Sequence, residues 1–346
     1  MVKVGVIGCG KIAITRHLPE YASNPDAEIA GVYDFNLERA KEVAEQYQTR
    51  AYESVEEMLN DPQIEAVSVC VRNSDHSKVT VDALRAGKHV LCEKPMAVSL
   101  DECKEMVKIA EKTGKKLMVG HNQRFNRTHM KAKELIQNDA IGKVLSFKTT
   151  FGHGGPETWT VDKNNVWFFD KRFSAFGAMA DLGVHKTDLL IFLLETKVKK
   201  VTAVLKTLDK KDAEGNLINV DDNAICIYEM ENGAVGTMTA SWTYYGEEDN
   251  STIIYGSEGI LKIYDDPNYS IVRIGKDGTK IYYELDKMQT NDNQTKSGII
   301  DSWVAAIKND TVPEVNGKDA LDAMKAIFAA LESSESGQTV EITEED

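Results

Sequence analysis

An aspartate, a histidine and a second aspartate follow one another at spacings of four and three residues near the middle of the chain. The run reads Asp181-Leu-Gly-Val-His185-Lys-Thr-Asp188, and its three polar side chains share one face if a helix already includes Asp181. An imidazole titrates near neutral pH, and a neighbouring carboxylate can orient it or stabilise its charge. We therefore predict that His185 is a general acid/base, as removal of an alcohol proton requires, with Asp181 as its partner.

A lysine that could assist the same chemistry follows a short apolar run, His89–Cys92, in the sequence Glu93-Lys94-Pro95. If that run is a parallel strand, Lys94 stands at its carboxyl end, where open α/β sheets bind ligands. Its ammonium group can then stabilise developing alkoxide charge. Each residue also has an ordinary alternative: Asp181 could cap a helix, His185 could be a core histidine, and Lys94 could be solvated. The coincidence of the two patterns favours catalysis.

A glycine-rich turn, Gly8-Cys9-Gly10-Lys11-Ile12-Ala13, follows the first predicted strand and opens a helix. In this G-x-G-x-x-A pattern Gly8 permits a tight turn, Gly10 leaves space for a pyrophosphate, and Ala13 allows close helix-strand packing. The helix that starts at Lys11 and Ile12 would attract phosphates with its N-terminus. The alternative is a glycine loop without a ligand, but the context predicts a dinucleotide site.

An acidic residue, Asp34, ends the second predicted strand, roughly 20 residues after the glycine turn, where dinucleotide-binding domains carry a ribose ligand. Its carboxylate can accept hydrogen bonds from the ribose hydroxyls and would repel an additional 2′-phosphate. The next residues, Phe35 and Asn36, supply no cation to hold such a phosphate. The sequence therefore predicts NAD as the cofactor in preference to NADP.

The elements that must position these residues form two successive patterns. Up to residue 120, short apolar runs alternate with amphipathic stretches such as Asn36–Gln48 and Leu100–Lys112, which is typical of a parallel sheet with crossover helices. We predict an α/β fold with an NAD-binding Rossmann domain over residues 1–121. The predicted strands are Lys3–Ile7, Glu28–Tyr33, Ile64–Val71, His89–Cys92 and Lys116–Val119.

Beyond residue 121 the pattern changes to segments of period two joined by turns such as Asn232-Gly233. We predict that residues 122–346 form an α+β domain for substrate binding and oligomerisation, with an open, mostly antiparallel sheet. Its predicted helices are Thr128–Asn138, Ser297–Lys308 and Lys318–Glu332, and its predicted strands include Val144–Phe151, Ala224–Met230, Ala234–Tyr244, Thr252–Tyr255 and Ile260–Tyr264.

Composition narrows the function further. With 41 Lys and Arg against 55 Asp and Glu, the net charge is −14, so nucleic acid and anionic membranes are not expected as partners. The five cysteines form no C-x-x-C pair, which predicts neither zinc nor disulfides. The longest strongly apolar run, Leu189–Leu194, is too short for a bilayer. We expect a cytoplasmic protein that uses no metal.

The glycine turn and the Glu93-Lys94-Pro95 run together resemble the Gfo/Idh/MocA oxidoreductases, named for glucose-fructose oxidoreductase and inositol dehydrogenase. The resemblance extends to Asn73 and His76, to the run from Gly120 to Phe125, and to the run from Asp181 to Asp188. It implies a sugar, inositol or related polyol as substrate, and a homodimer or homotetramer formed through the open sheet.

Particular residues take roles from this resemblance. It places Glu93, Lys94 and Pro95 beside the nicotinamide, Asn73 and His76 along the cofactor cleft, and Asn122 and Arg124 between cofactor and substrate. It also implies catalysis by Lys94, Asp181 and His185, and leaves open whether Lys94 or His185 takes the proton first. We expect Asp188 to contact substrate as well.

Aromatic residues are further candidates for substrate binding. The segment from His153 to Trp159 and the run that starts at Trp167 could stack on a sugar ring or could instead pack a core. We assign Trp242, with Tyr244 and Tyr245, to a sheet face or subunit interface.

Two further functions remain open for the same motifs. One is a redox-neutral elimination that oxidises a sugar carbon transiently, and the other is a dinucleotide-sensing regulator without catalysis.

Overall fold

The computed structural model describes residues 1–161, 166–287 and 296–343. The strands are β1 (Val2–Ile7), β2 (Ala27–Tyr33), β3 (Arg50–Ala51), β4 (Ala66–Val69), β5 (His89–Cys92), β6 (Leu117–Val119), β7 (Val144–Gly152), β8 (Val198–Lys206), β9 (Asn223–Met230), β10 (Val235–Ser241), β11 (Thr252–Gly256), β12 (Gly259–Ile263), β13 (Ile271–Gly275), β14 (Lys280–Tyr283) and β15 (Val340–Glu341). The α-helices are α1 (Leu18–Ser23), α2 (Leu37–Gln46), α3 (Val55–Asn60), α4 (Asn73–Arg85), α5 (Leu100–Thr113), α6 (Arg127–Gln137), α7 (Lys171–Ser174), α8 (Val184–Leu194), α9 (Ile299–Lys308) and α10 (Gly317–Ser336).

These elements form two compact units. The first contains Met1–Asn122, Trp159–Asp162 and Asn291–Leu321, and the second contains Gln123–Thr158, Lys163–Thr290 and Asp322–Asp346. Among the residues that the structure describes, no helix has the length and apolar character needed to cross a bilayer.

The first unit contains a six-stranded parallel sheet in the order β3-β2-β1-β4-β5-β6. Its central strands are buried on both faces, and the four residues of β4 are all buried, as expected for a sheet covered by helices. Strands β2 and β3 lie on one side of β1, and strands β4 to β6 lie on the other side. Ligands bind at such a switch point, beyond the carboxyl ends of the strands. The predicted Rossmann domain is confirmed.

Helices α2, α3 and α5 of the first unit each begin after a residue whose side chain caps them. The side chains of Asn36 and Ser99 accept hydrogen bonds from the main chain three residues later, at the starts of α2 and α5. Helix α5 ends at Gly114, which adopts a left-handed conformation that costs glycine little. Such caps satisfy main-chain N–H groups that have no partner within the helix and so stabilise its start.

The helix α9, from the C-terminal part of the chain, belongs to the first unit, whereas the predicted boundary assigned everything after residue 121 to the second domain. It contacts β1 and α1, and its Trp303 is fully buried. The carboxylate of Glu20 accepts a hydrogen bond from the main chain of Ser297 (2.8 Å), just before the helix. The apolar face of α9 therefore completes the core of the first unit, a contact between distant segments that periodicity does not reveal.

The second unit contains a sheet whose described strands have the order β14-β13-β12-β11-β7-β10-β9-β8-β15. All neighbours in it are antiparallel except β7 and β10, which run parallel. Helix α8 contacts β7 and α6 and is buried along almost its whole length. The predicted mostly antiparallel sheet is confirmed.

Candidate active site

The glycine turn has the geometry that a dinucleotide phosphate requires. Gly8 has a φ of +97°, and a Cβ there would lie 2.4 Å from the carbonyl oxygen of Cys70. A Cβ on Gly10 would meet no atom within 4 Å, so the main chain is open to a ligand at this position. Lys11 and Ile12 follow at half-buried positions, and Ile12 already has a helical backbone. These residues fit the pyrophosphate of NAD.

Asp34 lies beside the same turn. Its two carboxylate oxygens accept hydrogen bonds from the main-chain nitrogens of Cys9 and Asn36, each at 2.8 Å. Sequence reasoning missed Arg39, whose guanidinium lies 3.8 Å from Asp34. Because Asn36 caps α2, the residue three positions later returns to the start of the helix. The sequence signal that could have revealed Arg39 was Asn36, a residue type typical of helix N-caps.

The residues predicted after β4 and β5 share the carboxyl edge of the parallel sheet. Asn73 starts α4 and is buried. The ring of His76 is 1% exposed, with its two nitrogens 2.7 Å from the carbonyl oxygen of Pro95 and 3.2 Å from that of Val71. Lys94 is half-buried, and the Lys94–Pro95 peptide is cis. His76 therefore contacts the main chain of the loop that carries Lys94.

The carboxylate of Glu93 is directed into the protein interior. It is 4% exposed and accepts a hydrogen bond from the imidazole of His17 at 2.8 Å. His17 follows the glycine turn on a π-helical segment, Ala13–His17, and sequence reasoning assigned it no role. An isolated histidine carries little information without the partner that the fold supplies.

Asp181 and His185 stand at the beginning of α8. The prediction required a helix that already includes Asp181, and Met179–Gly183 supplies it as a π-helical turn that continues directly into α8. A spacing of four remains close to one turn in both kinds of helix. Asp181 is 5% and His185 is 8% exposed. The Phe151 ring packs on His185, with the ring centroids 6.0 Å apart.

Two residues that sequence reasoning misplaced or missed hold this segment. Trp242 was assigned to a sheet face or interface, but it is fully buried, and its indole N–H donates a hydrogen bond to Asp181 (3.1 Å). The carboxylate of Asp221 accepts hydrogen bonds from the main chains of Gly177 (2.7 Å) and Met179 (2.8 Å). Burial raises the pKa of Asp221 to about 6, against these hydrogen bonds. Strand periodicity alone could not distinguish an interface tryptophan from a buried hydrogen-bond donor.

The predicted substrate ligands Arg124 and Asp188 bind each other. The guanidinium donates two hydrogen bonds to the carboxylate, at 2.8 and 2.6 Å, and Asp188 is only 1% exposed. A buried bidentate pair of this kind occupies both carboxylate oxygens. The pair fixes α8 to the short 3-10 helix Asn122–Phe125, and Asn122 at the start of that helix is half-buried.

The aromatic candidates lie on irregular segments of the second unit. The Nδ1 atom of His153 accepts a hydrogen bond from the main chain of Gly155 (2.9 Å), and its ring contacts Phe151 edge-on. Trp167 stacks on Phe168 with ring centroids 3.8 Å apart. Residues 162–165, between these candidates, lie outside the described residues.

Lys186, which follows His185 in the sequence, is fully buried. Its ammonium donates hydrogen bonds to the carbonyl oxygen of Asn250 (2.8 Å) and to the hydroxyl of Thr252 (3.3 Å). Burial lowers the pKa of Lys186 to about 7, although Asp249 and Glu248 oppose this shift. The folded protein therefore disfavours the charged form of this lysine relative to the unfolded chain.

The pH dependence of stability should reveal this lysine. Folding lowers the pKa of Lys186, so burial of its charged form reduces the free energy of unfolding most at low pH. This destabilisation decreases as the pH rises towards the pKa of lysine in the unfolded chain. Relative to Lys186→Met, the wild-type free energy of unfolding should increase by about 2 kcal/mol between about pH 7.5 and 9, measured by urea denaturation. Lys206→Met, at an exposed position of β8, is the control. Parallel pH curves for wild type and Lys186→Met would contradict the lowered pKa.

Comparison with known proteins identifies the family. Residues 2–121 match the model of an oxidoreductase family with an NAD-binding Rossmann fold, and residues 129–262 match the GFO/IDH/MocA C-terminal domain. The chain is 26% identical to a myo-inositol 2-dehydrogenase of Thermotoga maritima over 99% of both chains. It is 33% identical to a glucose-6-phosphate 3-dehydrogenase of Bacillus subtilis over 67% of this chain and 65% of that protein.

Solved structures agree on the fold. The structure of a levoglucosan dehydrogenase in complex with NADH and levoglucosan superposes with a TM-score of 0.86 at 24% identity, covering 99% of each chain. The protein is thus an oxidoreductase with an NAD-binding Rossmann domain. In particular, the chain belongs to the GFO/IDH/MocA family, as its motifs predicted.

Proposed function

We propose that this protein is an NAD-dependent dehydrogenase that acts on a ring hydroxyl, or the corresponding ketone, of a sugar, sugar derivative or inositol. The observation that carries the proposal is the buried start of α8, where Trp242 fixes Asp181 one turn before His185. Relatives with these domains are, by name, dehydrogenases of myo-inositol and glucose 6-phosphate. The proposal extends that substrate class to this chain.

The residues of this chain divide the chemistry between them. Bound NAD would accept the hydride, and the protein must manage the hydroxyl proton. His185 takes that proton in the oxidation and returns it in the reduction, while Asp181 orients the imidazole and stabilises its charged form. Lys94 donates a hydrogen bond to the reacting oxygen and stabilises alkoxide character. Gly8, Gly10 and Asp34 hold the dinucleotide, as the geometry of the glycine turn allows.

Replacing the proposed catalytic groups should remove turnover and leave cofactor binding intact. Lys94→Ala and His185→Ala should each lower kcat by about 100-fold or more, because general acid/base and electrostatic assistance are each of that size. Formation of NADH from NAD with a panel of inositols, aldoses, sugar phosphates and methyl glucosides measures this, and NADH fluorescence measures binding. Lys78→Ala, at an exposed lysine on α4, is the control.

The outcome decides between the candidate functions. Near-normal turnover in both variants would refute the assigned mechanism. Binding of NAD with consumption of a glycoside but no net NADH would support redox-neutral elimination, and binding without any conversion would support a sensor.

We propose further that Asp34 sets a preference for NAD over NADP. Its carboxylate repels a 2′-phosphate, and its proximity to Arg39 (3.8 Å) keeps that cation engaged. Asp34→Ser removes the repulsion and releases Arg39 towards the phosphate. The ratio of kcat/KM for NADP over NAD should then rise by at least about tenfold, the size of one charged contact. Glu38→Ser, on the exposed side of α2, should leave the ratio unchanged, and an unchanged ratio in Asp34→Ser would contradict the assignment.

We propose that a second copy of the chain covers the outer face of the large sheet. Apolar side chains on β8, β9 and β10 are exposed there, among them Val204, Ile225 and Ile227 at 56% each. The strand register sets Val204 directly opposite Ile225, so these residues form one continuous row. A sheet with one uncovered apolar face is a typical subunit interface.

Charge placed on that row should separate the subunits. Ile225→Lys/Ile227→Lys would bury two ammonium groups in the interface, which costs more than the contacts gain. Light scattering should show an oligomer for wild type and a monomer for this variant, while Val312→Lys, at an exposed valine of the first unit, stays oligomeric. A monomeric wild type, or an unchanged mass for the double variant, would contradict the proposal.

A further inference from the structure

The loop that carries Lys94 is held from the interior of the first unit. Both oxygens of the Glu93 carboxylate are engaged: one accepts the 2.8 Å hydrogen bond from Nε2 of His17, and the other accepts a hydrogen bond from the main-chain nitrogen of Lys94 (3.2 Å). The carboxylate thus connects an imidazole on the segment after the glycine turn to the backbone of the lysine.

The position of His17 is fixed in turn. Its Nδ1 atom lies 3.0 Å from the hydroxyl of Ser68 on β4, and that hydroxyl lies 2.8 Å from the hydroxyl of Tyr21 on α1. All three side chains are at most 1% exposed. In a low-dielectric interior such a connected network has few alternative arrangements.

The Glu93 carboxyl of this network has a lowered pKa. Burial tends to raise the pKa of Glu93, but the hydrogen bond and charge of His17, together with Arg16, lower it to about 2. The guanidinium of Arg16 lies 3.7 Å from the carboxylate. Glu93 is therefore an ionised acceptor at physiological pH, and charge-assisted hydrogen bonds are the stronger ones.

Two further contacts leave the loop little room to move. On the other side of Lys94, the Nδ1 atom of His76 lies 2.7 Å from the carbonyl oxygen of Pro95. Opposite Glu93 stands Gly120, where a Cβ would lie only 2.8 Å from the carboxylate. A shift of the Glu93 side chain in that direction is blocked by the main chain after β6.

We propose that His17 and Glu93 are positioning residues that couple the dinucleotide-binding turn to the backbone of Lys94. This inference rests on the proposed role of Lys94. Its physical basis is that misplacing a reacting group by about 1 Å can cost about 100-fold in rate, whereas cofactor affinity depends mainly on the glycine turn and Asp34. The network should therefore affect kcat more than NAD binding.

Substitutions at position 17 test the coupling in the full-length protein. His17→Leu removes both hydrogen bonds, whereas His17→Gln retains a donor that reaches Glu93. We expect His17→Leu to lower kcat by about 100-fold with the Kd for NADH within about threefold of wild type, and His17→Gln to recover at least about tenfold of that loss. His89→Gln is the control, because His89 stands at the opposite, amino end of β5 and bonds only the main chain of Lys116 among the contacts described.

Chemical labelling gives a second readout that needs no substrate. Lys94 is labelled with an amine-reactive reagent and quantified by mass spectrometry, with the exposed Lys78 as internal reference. NADH should protect Lys94 in wild type and in His17→Gln, and should protect it several-fold less in His17→Leu. If wild type turns over no polyol, the proposed function fails, while the labelling result still decides the role of His17.

Three results would overturn the coupling. These are wild-type kcat and protection in His17→Leu, a fall in kcat matched by an equal fall in NADH affinity, and no recovery in His17→Gln. Thermal melting establishes that each variant folds. If His17→Leu does not fold, Ser68→Ala removes the bond to Nδ1 of His17, together with the bond to Tyr21, and leaves the bond from His17 to Glu93 in place. It should then lower kcat about threefold to tenfold at unchanged NADH affinity, and an unchanged kcat would refute the proposal.

Discussion

The hydrogen bond between His17 and Glu93 joins two segments that lie 76 residues apart in sequence. An ionised carboxylate buried without partners would cost several kcal/mol, and the imidazole of His17 is one of the partners that stabilise Glu93 at the start of the loop after β5. The imidazole in turn follows the glycine turn on a π-helical segment. The turn suited to a dinucleotide and the loop that carries Lys94 are therefore parts of one arrangement, and a change in either one alters the other.

In the second unit, the buried polar groups of α8 also need hydrogen-bond partners. Because this helix is buried along almost its whole length, each polar group on it needs a partner within the protein. The carboxylate of Asp188 has the guanidinium of Arg124, the ammonium of Lys186 has the carbonyl of Asn250, and the turn before α8 has Asp221. The proposed proton-transfer residues thus stand on a segment that cannot rotate without breaking several buried hydrogen bonds, which is the rigidity that positioned acid/base chemistry requires.

The sequence was sufficient for the parts of this protein that depend on local patterns. Strand periodicity predicted the parallel and antiparallel sheets, and the spacing of Gly8, Gly10 and Asp34 predicted a cofactor turn in which the structure leaves Gly10 open to a ligand. It failed where a side chain finds its partner through the fold. Trp242 was assigned to a sheet face or subunit interface because its hydrogen bond to Asp181 depends on an element far away in sequence, and Arg39 was overlooked because only a capped helix returns it to Asp34.

Buried residues and residues of irregular segments differ in how freely they can adapt to a new substrate. Relatives of this chain carry the names of dehydrogenases for two different rings, myo-inositol and glucose 6-phosphate. Residues held by buried hydrogen bonds, such as Asp181, have little freedom to adapt to a new ring. The segment after β7 is irregular, and the single side chain of Lys210 binds both the carbonyl oxygen of Gly154 and the carboxylate of Glu157. Under the proposed function, substrate specificity can change in this irregular segment while Asp181 and His185, held by the core, remain as they are.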